Sequence, residues 1–136
     1  MQTYLGLGSN LGNKEENIRL AVQLINAEAG QVLRQSSFYY SAPMGFESDN
    51  QFVNAVVLID TELEPLVLLH RLQAIEKAMG REHKSVDGIY QDRIIDIDIL
   101  LYGNYAIETD ELTIPHPHIF ARDFVFKPLS ELMGIL

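Results

Sequence analysis

Two aspartates, Asp96 and Asp98, lie inside an apolar stretch that runs from Ile94 to Leu101. Alternate side chains of a β-strand share a face, so the stretch predicts a strand with both carboxylates on one side, roughly 7 Å apart. Neighbouring carboxylates repel each other and lose hydration unless a cation compensates them. Mg²⁺ is such a cation, because it takes one or two carboxylates together with phosphate oxygens. The short D-x-D pattern also fits a solvated strand face, but its apolar flanks favour a metal site.

Basic side chains are concentrated directly before these aspartates. Five of the ten Lys and Arg residues fall within 23 positions: Arg71, Lys77, Arg81, Lys84 and Arg93. Phosphoryl transfer requires cations that neutralise charge developing on phosphate oxygens, and a loop can supply them. A surface loop whose charges serve solubility is the alternative, which the position beside the aspartates disfavours. The candidates for binding an anionic ligand are therefore Arg81, His83, Lys84 and Arg93.

Two further motifs carry weaker signals. The glycine-rich run at 6–12 departs from G-x-G-x-x-G by one residue and lacks the Gly-Lys-Ser/Thr of a Walker loop, so a tight structural turn is favoured. The Pro-His-Pro-His run at 115–118 could place two imidazoles on zinc, but no third ligand is evident nearby. A phosphate contact from one histidine is the preferred interpretation.

An aromatic ring and an amide occur close together, at Phe52 and Asn54, within a strongly apolar segment. Aromatic residues are mostly core residues, but a flat heterocycle also requires ring faces for stacking and a few amide or backbone hydrogen bonds. Both interpretations stay open at this stage. Further rings are present at Tyr39, Tyr40, Phe46 and Phe124.

The elements that must position these residues follow from the periodicity of the apolar residues. Strands are predicted at 2–8, 32–40, 52–59 and 94–102, and helices at 15–28 and 66–79. Residues 81–92 show no clear period and are predicted to form a long functional loop. The tail is predicted to contain a turn and short helices around Ile119 and Pro128.

This order of elements predicts an α+β fold: a ferredoxin-like βαββαβ sandwich with an antiparallel four-stranded sheet. Two helices are expected on one face of the sheet, with a short C-terminal helical extension. A length of 136 residues without a recognisable linker suits one domain, so residues 1–136 are assigned to a single catalytic domain.

Composition narrows the class of protein. Ten basic against 19 acidic side chains give a formal charge of −9, which repels nucleic acid and anionic membranes. No stretch approaches the roughly 20 apolar residues of a membrane span, and the N-terminus lacks the pattern of a signal peptide. The absence of cysteine excludes disulfides and thiolate metal sites. We therefore expect a cytoplasmic protein with neither a nucleic-acid nor a membrane partner.

Motifs along nearly the whole chain resemble the 6-hydroxymethyl-7,8-dihydropterin pyrophosphokinase (HPPK) family of folate biosynthesis. The matching segments are YLGLGSNLG at 4–12, SFY at 37–39, APMG at 42–45, FVNA at 52–55, QAIE at 73–76, GR at 80–81, DRIIDIDIL at 92–100 and LTIPH at 112–116. The R-x-x-D-x-D-I-L core followed by L-T-I-P-H is the most specific pair, because both are not expected in this order by chance.

The resemblance implies that the β,γ-pyrophosphate of ATP is transferred to the hydroxymethyl group of the pterin, with release of AMP. It implies two Mg²⁺ ions at Asp96 and Asp98, with Arg81 and Arg93 as further catalytic residues, and a monomer. The ATP-binding residues that it implies are Gln73, Glu76, Arg81, His83, Lys84, Arg93, Ile99, Thr113, His116 and Arg122. The pterin-binding residues that it implies are Ala42, Pro43, Met44, Phe52, Asn54, Tyr90 and Phe124.

Three features depart from the family pattern. Tyr90 stands, after a slightly longer loop, near the place where many relatives have aromatic-Gly-Pro-Arg. Glu111 occupies the position before L-T-I-P-H at which relatives often have arginine. The chain also ends soon after Pro128, earlier than in some members.

Two other classes of function compete with this interpretation. A nucleotidyl transferase or cyclase with paired aspartates would release pyrophosphate, whereas a simple kinase would make ADP. A ligand- or RNA-binding module of ferredoxin-like fold is the non-enzymatic alternative. The formal charge of −9 and the absence of a basic-aromatic sheet pattern argue against RNA.

Overall fold

The computed structural model describes residues 1–41, 51–80 and 94–134. Within these ranges the elements follow in the order β1 (Gln2–Ser9), α1 (Lys14–Glu28), β2 (Gln31–Gln35), β3 (Tyr39–Ser41), β4 (Phe52–Asp60), α2 (Pro65–Ala78), β5 (Asp96–Tyr102), β6 (Ile107–Glu108), β7 (Thr113–Ile114) and α3 (Asp123–Met133). The predicted strands and helices are confirmed to within a few residues, except for the second strand and the tail.

The main sheet is antiparallel, with the order β2–β4–β1–β5, and β3 also pairs with β4. The short strands β6 and β7 form a separate two-stranded sheet. β1 is central because it pairs with β4 on one side and β5 on the other. β4 and β5 both begin at the end of the sheet where β1 ends, so Phe52, Ser9 and Asp96 lie at the same end.

The prediction of a four-stranded sheet is not confirmed, because the main sheet has five strands within the described residues. The predicted strand at 32–40 is divided into β2 and β3, which both pair with β4. Gln35 pairs with Val57, and Tyr39 pairs with Asn54. The edge strand therefore advances by four residues over a stretch in which β4 advances by only three. One extra residue must therefore bulge out, which breaks the ladder.

Ser36 closes this break with its side chain. Its backbone N–H donates to the Val56 carbonyl at 2.8 Å, and its Oγ accepts from the Val56 N–H at 2.9 Å. The same Oγ donates to the Ser37 carbonyl at 2.9 Å. Because Ser36 is buried, these bonds satisfy a backbone N–H that the interrupted strand would otherwise leave without a partner.

The two faces of the main sheet are covered by different helices. Helices α1 and α2 place apolar residues at helical spacing, such as Ile18, Ile25 and Leu72, against Leu5 and Val57 of one face. Asn13 caps α1 by accepting from the Glu16 N–H, and Pro65 begins α2 at a position where no N–H is required. This side forms the larger part of the core.

Helix α3 covers part of the opposite face. Its residues Leu129 and Leu132 pack with Val56, Leu58 and Leu100. The predicted helix around Pro128 is confirmed, with the proline inside α3. The one predicted around Ile119 is wrong, because that residue lies in a succession of turns before α3. None of the helices in the described ranges has the length and hydropathy needed to cross a bilayer.

Replacing Ser36 with alanine is expected to lower the free energy of unfolding by about 1–3 kcal/mol, because it leaves the buried Val56 N–H without an acceptor. Urea denaturation followed by circular dichroism would measure the loss. The exposed neighbour Gln35, replaced by alanine, serves as the control and should change stability by about 0.5 kcal/mol or less. Equal midpoints for the two variants would contradict the role given to Ser36.

Candidate active site

Asp96 and Asp98 lie on the face of β5 that points away from α1 and α2. The intervening Ile97 is 5% exposed and packs into the core on the helix side, together with Ile99. Asp98 is exposed and Asp96 is half-buried. The alternation of apolar and acidic residues thus places both carboxylates on the same face of the sheet as α3.

The strand register sets the aspartates beside two glycines of β1. Asp96 is opposite Gly8, and Asp98 is opposite Gly6. On its other side, Gly8 is opposite Asn54 of β4. Asn54, Gly8 and Asp96 therefore form one row across three strands, and about 10 Å separate the Cα atoms of its two ends, from the spacing of neighbouring strands.

Gly8 leaves the centre of this row open. A Cβ atom at this position would stand 2.8 Å from Oδ1 of Asn54, which is closer than van der Waals contact permits. Sequence reasoning interpreted the glycines at 6–12 as a tight turn and missed this role, since Gly6 and Gly8 lie inside β1. The signal that could have revealed it is their spacing of two residues, which puts both glycines on the face that carries the aspartates.

Asn54 and Phe52 lie on β4 at the same end of the sheet. Asn54 is 7% exposed, and its Nδ2 donates to Oγ of Ser41 on β3 at 3.4 Å. Phe52 is half-buried and is opposite Ser41 in the ladder. An amide and a ring are thus available at one end of the row, with a pair of carboxylates at the other.

Glu76 of α2 holds the outer edge of β5. One of its carboxylate oxygens, Oε2, accepts a 2.7 Å hydrogen bond from the Ile97 N–H, between the two aspartates in sequence. Glu76 is only 7% exposed, so this hydrogen bond anchors the strand in a buried environment. Gln73, one turn earlier on α2, is half-buried. Ile99 is 2% exposed, and its side chain packs in the core on the helix side.

The segment after β7 brings a histidine to β5. The register of β1 and β5 shifts between Tyr4, which pairs with Leu101, and Leu5, which pairs with Ile99. β5 therefore has one extra residue, Leu100, at this point. The Leu100 carbonyl accepts the His116 N–H at 3.0 Å in this region. Thr113 of β7 is exposed nearby in sequence.

His116 lies within the electrostatic influence of several groups of the site. Burial is the main cause that lowers its pKa, and the His118 ring and the Arg122 guanidinium lower it further. The Asp96 carboxylate, in contrast, raises the pKa of His116. With a pKa below the ordinary value, His116 is largely neutral at pH 7 and can both donate and accept hydrogen bonds.

Arg122 and Phe124 meet at the start of α3. The Arg122 guanidinium lies 5.7 Å from the centre of the Phe124 ring, within the range of a cation–π contact. Since Arg122 also influences His116, the beginning of α3 belongs to the same region as Asp96.

Glu111, one of the departures from the family pattern, has a partner on α2. Nε2 of His70 lies 2.9 Å from Oε2 of Glu111. Both side chains are well exposed, so this pair contributes little stability by itself. It nevertheless joins α2 to the turn that precedes Thr113.

Several of the expected site residues lie outside the described residues. These are the candidate cations Arg81, His83, Lys84 and Arg93, and the candidate pterin contacts Ala42, Pro43, Met44 and Tyr90. Of the described candidates, the register brings Asn54 and Asp96 into one row, and the tail brings His116 and Arg122 near Asp96.

The described residues fit a magnesium ion that is bound together with a phosphate ligand. In residues 1–41, 51–80 and 94–134, no group of three or more His, Cys, Asp or Glu side chains could hold a metal ion by itself. Two carboxylates on one exposed face are, however, the protein share of a site that Mg²⁺ completes with phosphate oxygens and water.

Comparison with known proteins supports one family. Residues 4–134 match the sequence profile described as 7,8-dihydro-6-hydroxymethylpterin-pyrophosphokinase (HPPK). The 2-amino-4-hydroxy-6-hydroxymethyldihydropteridine pyrophosphokinase of Porphyromonas gingivalis is 47% identical over 130 residues, which cover 95% of this chain and 88% of the relative. The enzyme of the same name from Haemophilus influenzae is 43% identical, with 98% of this chain and 82% of the relative covered.

Solved structures with the same fold are more distant in sequence. HPPK-DHPS crystallised in complex with substrates aligns with a TM-score of 0.76 at 15% identity, over 97% of this chain. HPPK-DHPS of Plasmodium falciparum aligns with a TM-score of 0.78 at 16% identity, over 99% of this chain. The chain spans about 40% of the length of these solved proteins, so they bear on the fold alone. The profile match and the two bacterial relatives carry the assignment: the chain belongs to the 7,8-dihydro-6-hydroxymethylpterin-pyrophosphokinase family.

Proposed function

We infer that this chain transfers the β,γ-pyrophosphate of ATP to the hydroxymethyl group of 6-hydroxymethyl-7,8-dihydropterin in folate biosynthesis. The observation that carries this conclusion is the 47% identity over 130 residues to a bacterial enzyme named for this pyrophosphokinase activity. The row formed by Asn54, Gly8 and Asp96 supports it, because it places an amide suited to a heterocycle opposite a carboxylate suited to a metal–phosphate complex.

The reaction breaks one bond and forms one. The hydroxymethyl oxygen attacks the β-phosphorus of ATP, and the bond between this phosphorus and the oxygen bridging to the α-phosphate breaks. AMP leaves with that oxygen, and the hydroxyl proton is lost to a base or to water. Such a transfer is accelerated by alignment of the two substrates and by neutralisation of charge on the phosphate oxygens.

Asp96 and Asp98 supply the carboxylates that hold the magnesium–triphosphate complex. Asp96 and Asp98 would hold Mg²⁺, for which the family resemblance implies two ions, and the bound metal would neutralise negative charge on the phosphate oxygens. The two side chains share an exposed face of β5, so both can reach one ligand. Anchoring of β5 by Glu76 keeps this face at a fixed distance from β1 and β4. Glu76 then acts by positioning the strand, in addition to any direct contact with the nucleotide.

The remaining residues divide between the two substrates. The pterin pocket combines the Asn54 amide and the Phe52 and Phe124 rings with Ala42, Pro43, Met44 and Tyr90. The ATP site combines Gln73, Thr113, His116 and Arg122 with the backbone of Ile99. The cations that stabilise the transition state are Arg81 and Arg93, assisted by His83 and Lys84.

We also propose that the sheet is a variant of the ferredoxin-like fold and that the protein is a cytoplasmic monomer forming one domain over residues 1–136. When β2 and β3 are counted as one interrupted edge strand, the order of the resulting four strands is the one expected for a βαββαβ sandwich. The location of α1 and α2 on the same face supports this description.

Incubation with ATP, Mg²⁺ and the reduced pterin alcohol is expected to yield AMP and a pterin pyrophosphate in equal amounts. Separation of the nucleotides by ion-exchange chromatography measures this directly. Formation of ADP would indicate a simple kinase, and release of free pyrophosphate would indicate a nucleotidyl transferase. Either result would overturn the proposed reaction.

Replacing Asp98 with asparagine should lower kcat by at least about 100-fold, because a neutral amide binds Mg²⁺ more weakly and cannot offset its charge. The Asp96→Asn variant should behave in the same way, and both should keep the circular dichroism spectrum of the unaltered protein. Asp110→Asn, in the exposed turn between β6 and β7, is the matched control and should retain full activity. Near-normal turnover by either site variant at modest Mg²⁺ would remove these residues from the metal site.

Replacing Gly8 with alanine should weaken pterin binding, because the added methyl group takes the space of the Asn54 side-chain oxygen. Isothermal titration with the pterin, in the presence of a non-hydrolysable ATP analogue, measures the effect. In an Asn54→Ala background the same change should cost little further affinity, since the group with which the methyl group collides is gone. If the losses of pterin affinity are additive in the double variant, Gly8 does not act through the Asn54 side chain.

A further inference from the structure

One carboxylate of α3 joins the helix to the interrupted edge of the sheet. Oε2 of Glu131 accepts from the Ser37 N–H at 2.9 Å and from the Ser37 Oγ at 3.3 Å. Oε1 of the same side chain accepts from the Tyr39 hydroxyl at 2.7 Å. Glu131, Ser37 and Tyr39 together are called the α3 latch below. Both oxygens of the carboxylate are used, so the group is held in one orientation.

The latch is formed by a charged group. The hydrogen bond from Tyr39 is the main cause that lowers the pKa of Glu131, and the bond from the Ser37 N–H lowers it further. The same hydrogen bond to Glu131 is the main cause that raises the pKa of Tyr39. Glu131 is therefore ionised and Tyr39 is protonated at neutral pH, which is the pairing of a strong acceptor with a donor.

Apolar packing alone would leave the position of α3 less well defined. Leu129 and Leu132 bury their side chains against Val56 and Leu58, but hydrophobic contact has no directional preference. Hydrogen bonds do have one, so the latch sets the rotation of the helix and its position along its axis. A second bond, from Nη1 of Arg34 to the Leu132 carbonyl at 2.7 Å, ties the same end of α3 to β2.

The latch is connected at both ends to residues of the proposed pterin pocket. Tyr39 is directly opposite Asn54 in the ladder of β3 and β4. Phe124 precedes Glu131 by seven residues in α3, which is close to two helical turns, so both lie on the same face of the helix. The expected separation of the two along the helix axis is roughly 10 Å, at 1.5 Å per residue.

We propose that Glu131 and Tyr39 are positioning residues, which hold the Phe124 ring on α3 at a fixed distance from the Asn54 amide on β4. A flat ligand placed between a ring and an amide depends on that distance more than a triphosphate does, so the latch acts more strongly on the pterin than on ATP, although Arg122 of the proposed ATP site lies at the start of the same helix. The inference rests on the proposed function, because it takes Phe124 and Asn54 as pterin contacts.

The test is a Tyr39→Phe variant, which removes one hydroxyl and leaves the ring in place. The KM for the pterin should rise about three- to tenfold, which is less than the full loss of one hydrogen bond to a charged group because the contact acts on the pocket indirectly, while the KM for ATP stays within about twofold. Glu131→Gln should give the same pattern, since an amide cannot accept with both of its ends. The double variant should be little worse than either single variant, because both changes break one contact.

Tyr102→Phe is the matched control. The Tyr102 hydroxyl donates to the Leu63 carbonyl at 2.6 Å, and Tyr102 is opposite Thr3 at the other end of the sheet. This variant should lose a comparable amount of thermal stability without any change in either KM. If Tyr39→Phe behaves in the same way as Tyr102→Phe, the latch only stabilises the fold and the inference is wrong.

The unaltered protein separates this failure from a failure of the proposed function. If it forms AMP and binds the pterin, but both latch variants bind the pterin equally well, only the positioning role is overturned. If the unaltered protein neither forms AMP nor binds the pterin, the proposed function fails, and the inference that rests on it fails as well.

Discussion

The placement of Asp96 and Asp98 on one face of β5 is the constraint on which the proposed site depends. The two carboxylates are kept on one face of β5 by the burial of Ile97 on the other, because turning the strand over would expose apolar surface. Glu76 adds a third acidic group near the same strand, but its carboxylate is engaged by the Ile97 N–H. Under the proposed function, a cation and its phosphate ligand offset the negative charge on this face.

The two faces of the main sheet have different roles. α1 and α2 fill one face of the sheet with a continuous apolar core, which makes β1, β4 and β5 a firm support. In the described parts of the chain, α3 packs with Val56, Leu58 and Leu100 on the opposite face, and the row formed by Asn54, Gly8 and Asp96 lies beyond that contact. Asp98 is exposed on this face, so a ligand can reach its carboxylate while the backbone beneath it stays in place.

The interrupted edge formed by β2 and β3 helps to hold α3 against the sheet. The extra residue near Ser36 interrupts the strand and frees Ser37 from the ladder, so that its N–H can donate to Glu131. An uninterrupted edge strand would not offer this donor at the same place. The irregularity that separates the observed sheet from a regular four-stranded one is thus also what ties α3 to the sheet.

Much of the fold could be predicted from local patterns, because periodicity reports directly on burial. The alternation at 95–99 determined that both aspartates share a face, and the spacing of apolar residues determined α1 and α2. The family was also determined by the sequence, through motifs such as the D-x-D segment and the LTIPH run at 112–116.

Other features were decided only by the tertiary structure. The pairing of Gly8 with both Asn54 and Asp96 depends on the register of three strands that are distant in sequence. The partners of Glu76 and Glu131 are residues 21 and more than 90 positions away, which no local pattern encodes. A sequence determines which face a side chain occupies because that choice repeats along the chain, but cross-strand register and helix docking are set by contacts between distant segments.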